Sequence, residues 1–182
     1  MMKRFLILAG ALSLFAATAA AGTESESYVG VLIEQMQELD PGLEADFIVD
    51  NVDMPRVSKF VLGKHAQEAS EEEKAQFSSR FDAFLRDFLS SRSDELTRAN
   101  LTILSSVDRS ETDSIVTTRV SSPTREPMIM RWRVLFRDGE WRLIDVEVHG
   151  LWLAIEQRAQ IMSLLDDRDA EISELYASIG PG

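Results

Sequence analysis

A chain of 182 residues without cysteine can close a core as one domain, and it excludes disulfides, thiolate metal sites and a cysteine nucleophile. Acidic residues outnumber basic ones by 31 to 19. That balance argues against a nucleic-acid partner and against permanent residence on an anionic membrane, leaving only transient docking on membrane complexes through a local patch.

Lys3 and Arg4 precede an apolar run over 5–17, and Ala19-Ala20-Ala21 gives a small-residue cleavage pattern before Gly22. This reads as a signal peptide over 1–21, followed by one domain over 22–182 in the periplasm. The run is shorter than the roughly 20 apolar residues of a membrane span. In 27–39, Tyr28, Leu32, Met36 and Leu39 recur at helical spacing, and Asp40-Pro41-Gly42 stops the pattern. Two short helices are predicted over 43–51 and 54–62, the second with Val57, Phe60 and Val61 apolar and Gly63 as its cap. Ser70 and Glu73 form a capping box, in which hydroxyl and carboxylate each satisfy a backbone N–H at the helix start. Phe77, Phe81, Phe84, Leu85 and Phe88 then follow as one stripe to about Ser90.

From Leu96 the period changes to two. Strands are predicted over 101–107 and 114–120, around a polar turn at 108–113. Met128, Met130, Trp132, Val134 and Phe136 alternate with Ile129, Arg131, Arg133, Leu135 and Arg137. Asp138-Gly139 is a hairpin signal. The next strand turns Ile144, Val146 and Val148 inward and Asp145, Glu147 and His149 outward, with a bulge near Leu143, and Gly150 ends it. A helix over 151–165 carries Leu151, Ile155, Met162 and Leu165 on one side, and Ile172, Leu175 and Ile179 mark a last short helix. The fold class is α+β: a twisted antiparallel sheet of three to four strands, with helices over its concave face, forming a cone.

No reactive constellation stands out. His65 and His149 are far apart in the chain. Asp145, Glu147 and His149 share a strand face without a further ligand, so no metal and no cofactor are expected. Asp46, Asp50 and Asp53 are the candidates for a lone general base, each better explained as a helix cap or surface charge. Arg131, Arg133, Arg137 and Arg142 form an outward basic patch that either meets a head group or partner, or is balanced by neighbouring acids.

The segment VLGKHAQEASEEEKAQFSSRFDAFLRDFL (61–89) resembles the central part of the MlaC family, the periplasmic phospholipid-binding proteins of Mla and toluene-tolerance transport systems. GEWRLIDVEVHGLWLAIEQRAQIMSLL (139–165) resembles that family's second landmark, through Trp141, Asp145, Gly150, Arg158 and Gln160. His149-Gly150-Leu151-Trp152 departs from the family's usual Glu-Gly-Val-Ser, and Asp166-Asp167-Arg168-Asp169 from its Gly-rich link. The resemblance implies an NTF2-like cone with an apolar cavity. It also implies a monomeric, non-enzymatic carrier that moves phospholipid between an outer-membrane lipoprotein complex and an inner-membrane ABC transporter complex. Two long acyl chains demand on the order of 20 kcal/mol of apolar shelter. Candidate walls from the helices are Phe60, Phe77, Phe81, Phe84, Phe88, Trp152 and Ile155. From the strands they are Val116, Val120, Met128, Met130, Trp132, Val134, Ile144, Val146 and Val148. The same residues would also pack a solid core. Arg131, Arg133 and Arg142 are head-group or partner candidates, and Arg158 is expected to pair with an acid. The alternatives are an NTF2-like isomerase-type enzyme or a non-catalytic periplasmic adaptor.

Overall fold

The computed structural model describes residues 18–91, 99–123 and 125–168. Among the described residues, five helices come first: α1 (Thr18–Gln37), α2 (Glu44–Asp50), α3 (Met54–Leu62), α4 (His65–Glu68) and α5 (Glu71–Ser90). Strands β1 (Asn100–Ser110), β2 (Asp113–Ser122), β3 (Arg125–Arg137), β4 (Glu140–Val148) and β5 (Leu151–Trp152) follow, and α6 (Leu153–Arg168) comes after them. The class is α+β, and the sheet is antiparallel in the order β1-β2-β3-β4-β5. Most of the expected signal peptide and the helix expected around Ile172, Leu175 and Ile179 lie outside the described residues.

Local chemistry explains most boundaries. The Ser70 hydroxyl accepts from the Glu73 N–H, and the Glu73 carboxylate accepts from the Ser70 N–H, which starts α5 where the capping box predicts. Asp53 caps α3 by accepting the Arg56 N–H at 3.2 Å. Asp138 and Gly139 both take positive φ, 53° and 88°, giving the tight turn between β3 and β4. The helix expected over 27–39 begins upstream, at Thr18.

The strand count of three to four is corrected to five. His149 and Gly150 also take positive φ, 53° and 83°, and this second tight turn folds Leu151 and Trp152 back along β4. The helix expected from Leu151 therefore starts at Leu153. Its buried side is Ala154, Ile161 and Leu165, whereas Leu151 and Ile155 are 58% and 51% exposed.

The bulge expected near Leu143 is present: Arg133 faces Asp145 and Val134 faces Leu143, leaving Ile144 as the extra residue. The kink lets Leu143 bond the link between α2 and α3. Its carbonyl accepts the Asp53 N–H at 2.8 Å, and its N–H donates to the Asn51 carbonyl at 3.2 Å. The two short helices are thereby anchored beside β4.

Two apolar clusters result. One joins Val29, Ile33 and Met36 of α1 to Val116, Val120, Trp132 and Val134 of the sheet. The other joins α3, α5 and α6 through Val57, Val61, Phe77, Phe81, Ile161 and Leu165. No helix among the described residues is long and apolar enough to cross a membrane.

Candidate functional site

Between these clusters lies an apolar hollow of about 330 Å³. One wall is the inner face of β3 and β4, with Met128, Met130, Leu143, Val146 and Val148. The facing wall comes from α2, α3 and the link between them with Ile48, Val49, Val52 and Val57, and from α5 with Phe81, Leu85, Phe88 and Leu89. Ile144, Leu151, Leu153 and Ala154 complete it, with Asp145, His149 and Gln157 as its polar lining. The buried Val57, Phe81 and Leu143 mark its inner end. The exposed His149 and Leu151, beside half-buried Phe88, Leu89 and Met128, mark its mouth.

Of the side chains singled out from the sequence, the structure brings Phe81, Phe88, Met128, Met130, Ile144, Val146 and Val148 to this hollow. Val116, Val120, Trp132 and Val134 instead pack under α1. There Trp132 Nε1 donates to Thr118 Oγ1 at 3.0 Å, and that hydroxyl donates to the Met130 carbonyl at 3.2 Å. Phe77 and Phe84 belong to the helical cluster, where Phe77 stacks on Phe81 at 5.7 Å and Phe81 on Phe84 at 6.1 Å. A stripe of phenylalanines thus divides between packing and lining, because its members occupy different angles around α5.

Phe60 and Ile155 are placed on the outside, 42% and 51% exposed. Trp152 is half-buried opposite Glu147 in the β4–β5 pair and is not among the lining residues, although its neighbours Leu151 and Leu153 are. In a strand, alternate side chains face opposite ways. The expected acidic partner of Arg158 is replaced by a carbonyl: Arg158 Nη1 donates to the Phe60 carbonyl, and its guanidinium lies 4.9 Å from the centre of the Phe60 ring. It thereby serves the C-terminal end of α3, where a cation is favoured.

Sequence reasoning missed Ile48, Val49, Val52, Val57, Leu85, Leu89, Leu143, Leu151, Leu153 and Ala154 as lining residues. The only signal was that two short apolar helices had to cover something. Their orientation depends on the long-range bonds to Leu143.

The arginines have acidic partners. Arg131 pairs with Glu147, Arg133 with Asp113 at 2.8 and 3.1 Å, Arg142 with Glu140 at 2.8 Å, and Arg137 with Asp138 at 3.5 Å. The Asp113 bond, chiefly, raises the Arg133 pKa. Arg86 ties the wall together, bonding Asp82 on its own helix at 2.7 Å and Asp46 and Asp50 on α2 at 3.0 and 2.7 Å. These bonds raise its pKa. Asp46, Asp50 and Asp53 are thus occupied by ion pairing and capping.

The face of Asp145 and Glu147, expected to be exposed, is a further correction: both are buried. Asp145 Oδ1 accepts the N–H of Val146 at 2.8 Å and of Ala154 at 2.9 Å, which caps α6 where it leaves the sheet. Burial pushes the Asp145 carboxyl up from its ordinary range, and the two N–H bonds and Arg133 oppose that. No group of three or more metal-binding side chains occurs among the described residues.

The fold is similar to a crystal structure of a phospholipid-binding protein from Ralstonia solanacearum in complex with a phospholipid, solved at 1.53 Å. The TM-score is 0.72 at 19% identity, covering 87% of this chain and 94% of the other. No curated protein matches the sequence significantly. The model of the MlaC protein family matches residues 42–179 and so spans the hollow, its capped helix α5 and the whole sheet: the chain belongs to the MlaC family.

Proposed function

We propose that this protein is a periplasmic phospholipid-binding carrier, exported by a signal peptide over 1–21 and holding acyl chain in the hollow between β3–β4 and the short helices. It serves as the soluble component of an Mla-type ABC transport system, exchanging lipid with an outer-membrane lipoprotein complex and an inner-membrane transporter complex. The observation that carries this reading is the apolar hollow in a member of the MlaC family. A lipid cannot cross water alone, because each methylene moved from water into apolar surroundings is worth about 0.8 kcal/mol. Such a carrier needs a lined space and no reactive group. The acid at the hollow, Asp145, already accepts two backbone N–H bonds, which supports a capping role over that of a general base.

The test is to purify the protein, extract it with organic solvent and analyse the extract by mass spectrometry. Near-stoichiometric phospholipid is the expected result. A clean extract together with no uptake from vesicles overturns the proposal.

A further inference from the structure

We infer that Ser106 and Asp108 of β1 are the seat for the amino terminus that leader removal creates at Gly22, so that the processed chain gains an ion pair the precursor lacks. This rests on the reading of 1–21 as a signal peptide and adds what cleavage does to the folded domain. In the full chain α1 reaches residue 22 from Thr18, and the Gly22 nitrogen is a neutral amide. Cleavage after Ala21 turns that nitrogen into an ammonium.

The surroundings of Gly22 suit a cation. A Cβ built on Gly22 would lie 3.0 Å from Ser106 Oγ, and 3.4 and 3.9 Å from the two carboxylate oxygens of Asp108. Glycine leaves that place empty. Once free of Ala21, the nitrogen can swing about the Cα–C bond into it, because it sits about 1.46 Å from Cα, close to the reach of a Cβ. There it meets a hydroxyl and a carboxylate at ion-pair range. Asp108 Oδ1 is buried and has no hydrogen-bond partner among the described residues, a costly state for a carboxylate oxygen. The Ser106 hydroxyl donates to Glu26 Oε1 at 2.7 Å, which leaves its lone pairs for an incoming donor. The Ser25 hydroxyl, 2.9 Å from that of Ser114 on β2, lies 3.0 Å from the Gly22 carbonyl and holds the residue in place. The stripe that α1 turns to the sheet is apolar at Val29, Ile33 and Met36, yet it begins with Gly22, Ser25 and Glu26 among these polar groups. The apolar part packs, and the polar start is what a charged terminus needs. A carboxylate left orphaned in the precursor and paired after cleavage ties the stability of the domain to its processing.

The exported protein is first weighed by intact mass spectrometry, which should give a chain starting at Gly22. A start elsewhere overturns both the leader boundary and this inference. The mature chain is then compared by denaturant unfolding with its Nα-acetylated form and with a chain that keeps Ala21, each with Asp108 and with Asp108→Asn. Blocking or displacing the ammonium is expected to lower the folding equilibrium constant about tenfold beside Asp108, and less than about twofold beside the asparagine. Equal losses in the two backgrounds, or no loss in either, overturn the inference and leave the leader and carrier readings standing. The Asp108 carboxyl carbon, followed by NMR, gives a readout that needs no substitution. Acetylation should shift its signal, and an unmoved signal overturns the pairing even where Asp108→Asn does not fold.

Discussion

The two halves of the sheet's inner face are covered differently, and one is solid where the other is hollow. Over β1, β2 and the adjoining end of β3 lies the 20-residue helix α1, whose Val29, Ile33 and Met36 share one buried cluster with Val116 and Val120 of β2 and Trp132 and Val134 of β3. Over β4 and the Met128–Met130 end of β3 lie the 7-residue α2, the 9-residue α3, the flank of α5 and the start of α6. A long helix offers a continuous apolar ridge to a sheet. Short pieces meeting at angles bring their ends and flanks, and the space between them stays open. The hollow follows from broken coverage more than from any special residue type.

That contrast breaks most readily at Trp132. Trp132→Ala in the solid half is expected to cost about 3–5 kcal/mol, since it leaves a cavity and removes the bond from Trp132 Nε1 to the Thr118 hydroxyl. Phe88→Ala at the mouth removes a half-buried ring from a wall that already faces space, and about 1 kcal/mol is expected. Denaturant unfolding of the pair decides the matter. Equal losses would mean that the two halves are packed alike.

Arg86→Ala removes the cation shared by Asp82, Asp46 and Asp50. Partly exposed pairs are worth about 0.2–1 kcal/mol each, so a loss of about 1–2 kcal/mol is expected, shrinking in high salt. Faster lipid exchange should accompany it. A stability loss without faster exchange would place the opening of the hollow elsewhere.

Asp145 sharpens the boundary between sheet and hollow. Asp145→Ala should cost about 1 kcal/mol through the lost cap of α6. Burial raises its pKa from the ordinary 3.8, so the folded protein keeps a proton that the unfolded chain has released. Stability therefore falls as pH rises from about that value through the folded pKa, and Asp145→Asn should flatten that part of the profile. An unchanged profile would assign the effect to other groups. The smallest effect belongs to Trp152→Ser, which should leave lipid uptake unaltered because the ring is not among the lining residues. Increased uptake would show that it turns into the mouth.

The sequence was legible wherever a local rule governs. The capping box at Ser70, the turn at Asp138-Gly139 and the bulge by Leu143 each rest on chemistry within a few residues. The two-residue strand β5 was not legible, because Leu151-Trp152-Leu153 is apolar throughout and has no period to assign. Leu151 and Ile155 read as a buried helical face, yet the turn at His149-Gly150 takes Leu151 into a strand and leaves Ile155 outside. Spacing put all the α5 phenylalanines on one stripe. Which of them meets the hollow depends on small differences in angle around α5 and on how α5 is set against the sheet, which contacts between distant parts of the chain decide.

The strand order has a kinetic consequence. Each strand pairs with its neighbour in the chain, so the sheet can grow hairpin by hairpin with little loop entropy to overcome. The bonds that seat α3 and the start of α4 against α6, from Arg158 to Phe60 and from Asp166 to Lys64 and His65, join residues about 100 positions apart in the chain. Those seams should close last as the chain collapses and part first when it breathes. Hydrogen exchange should therefore reach α2 and α3 well before the middle of β2 and β3.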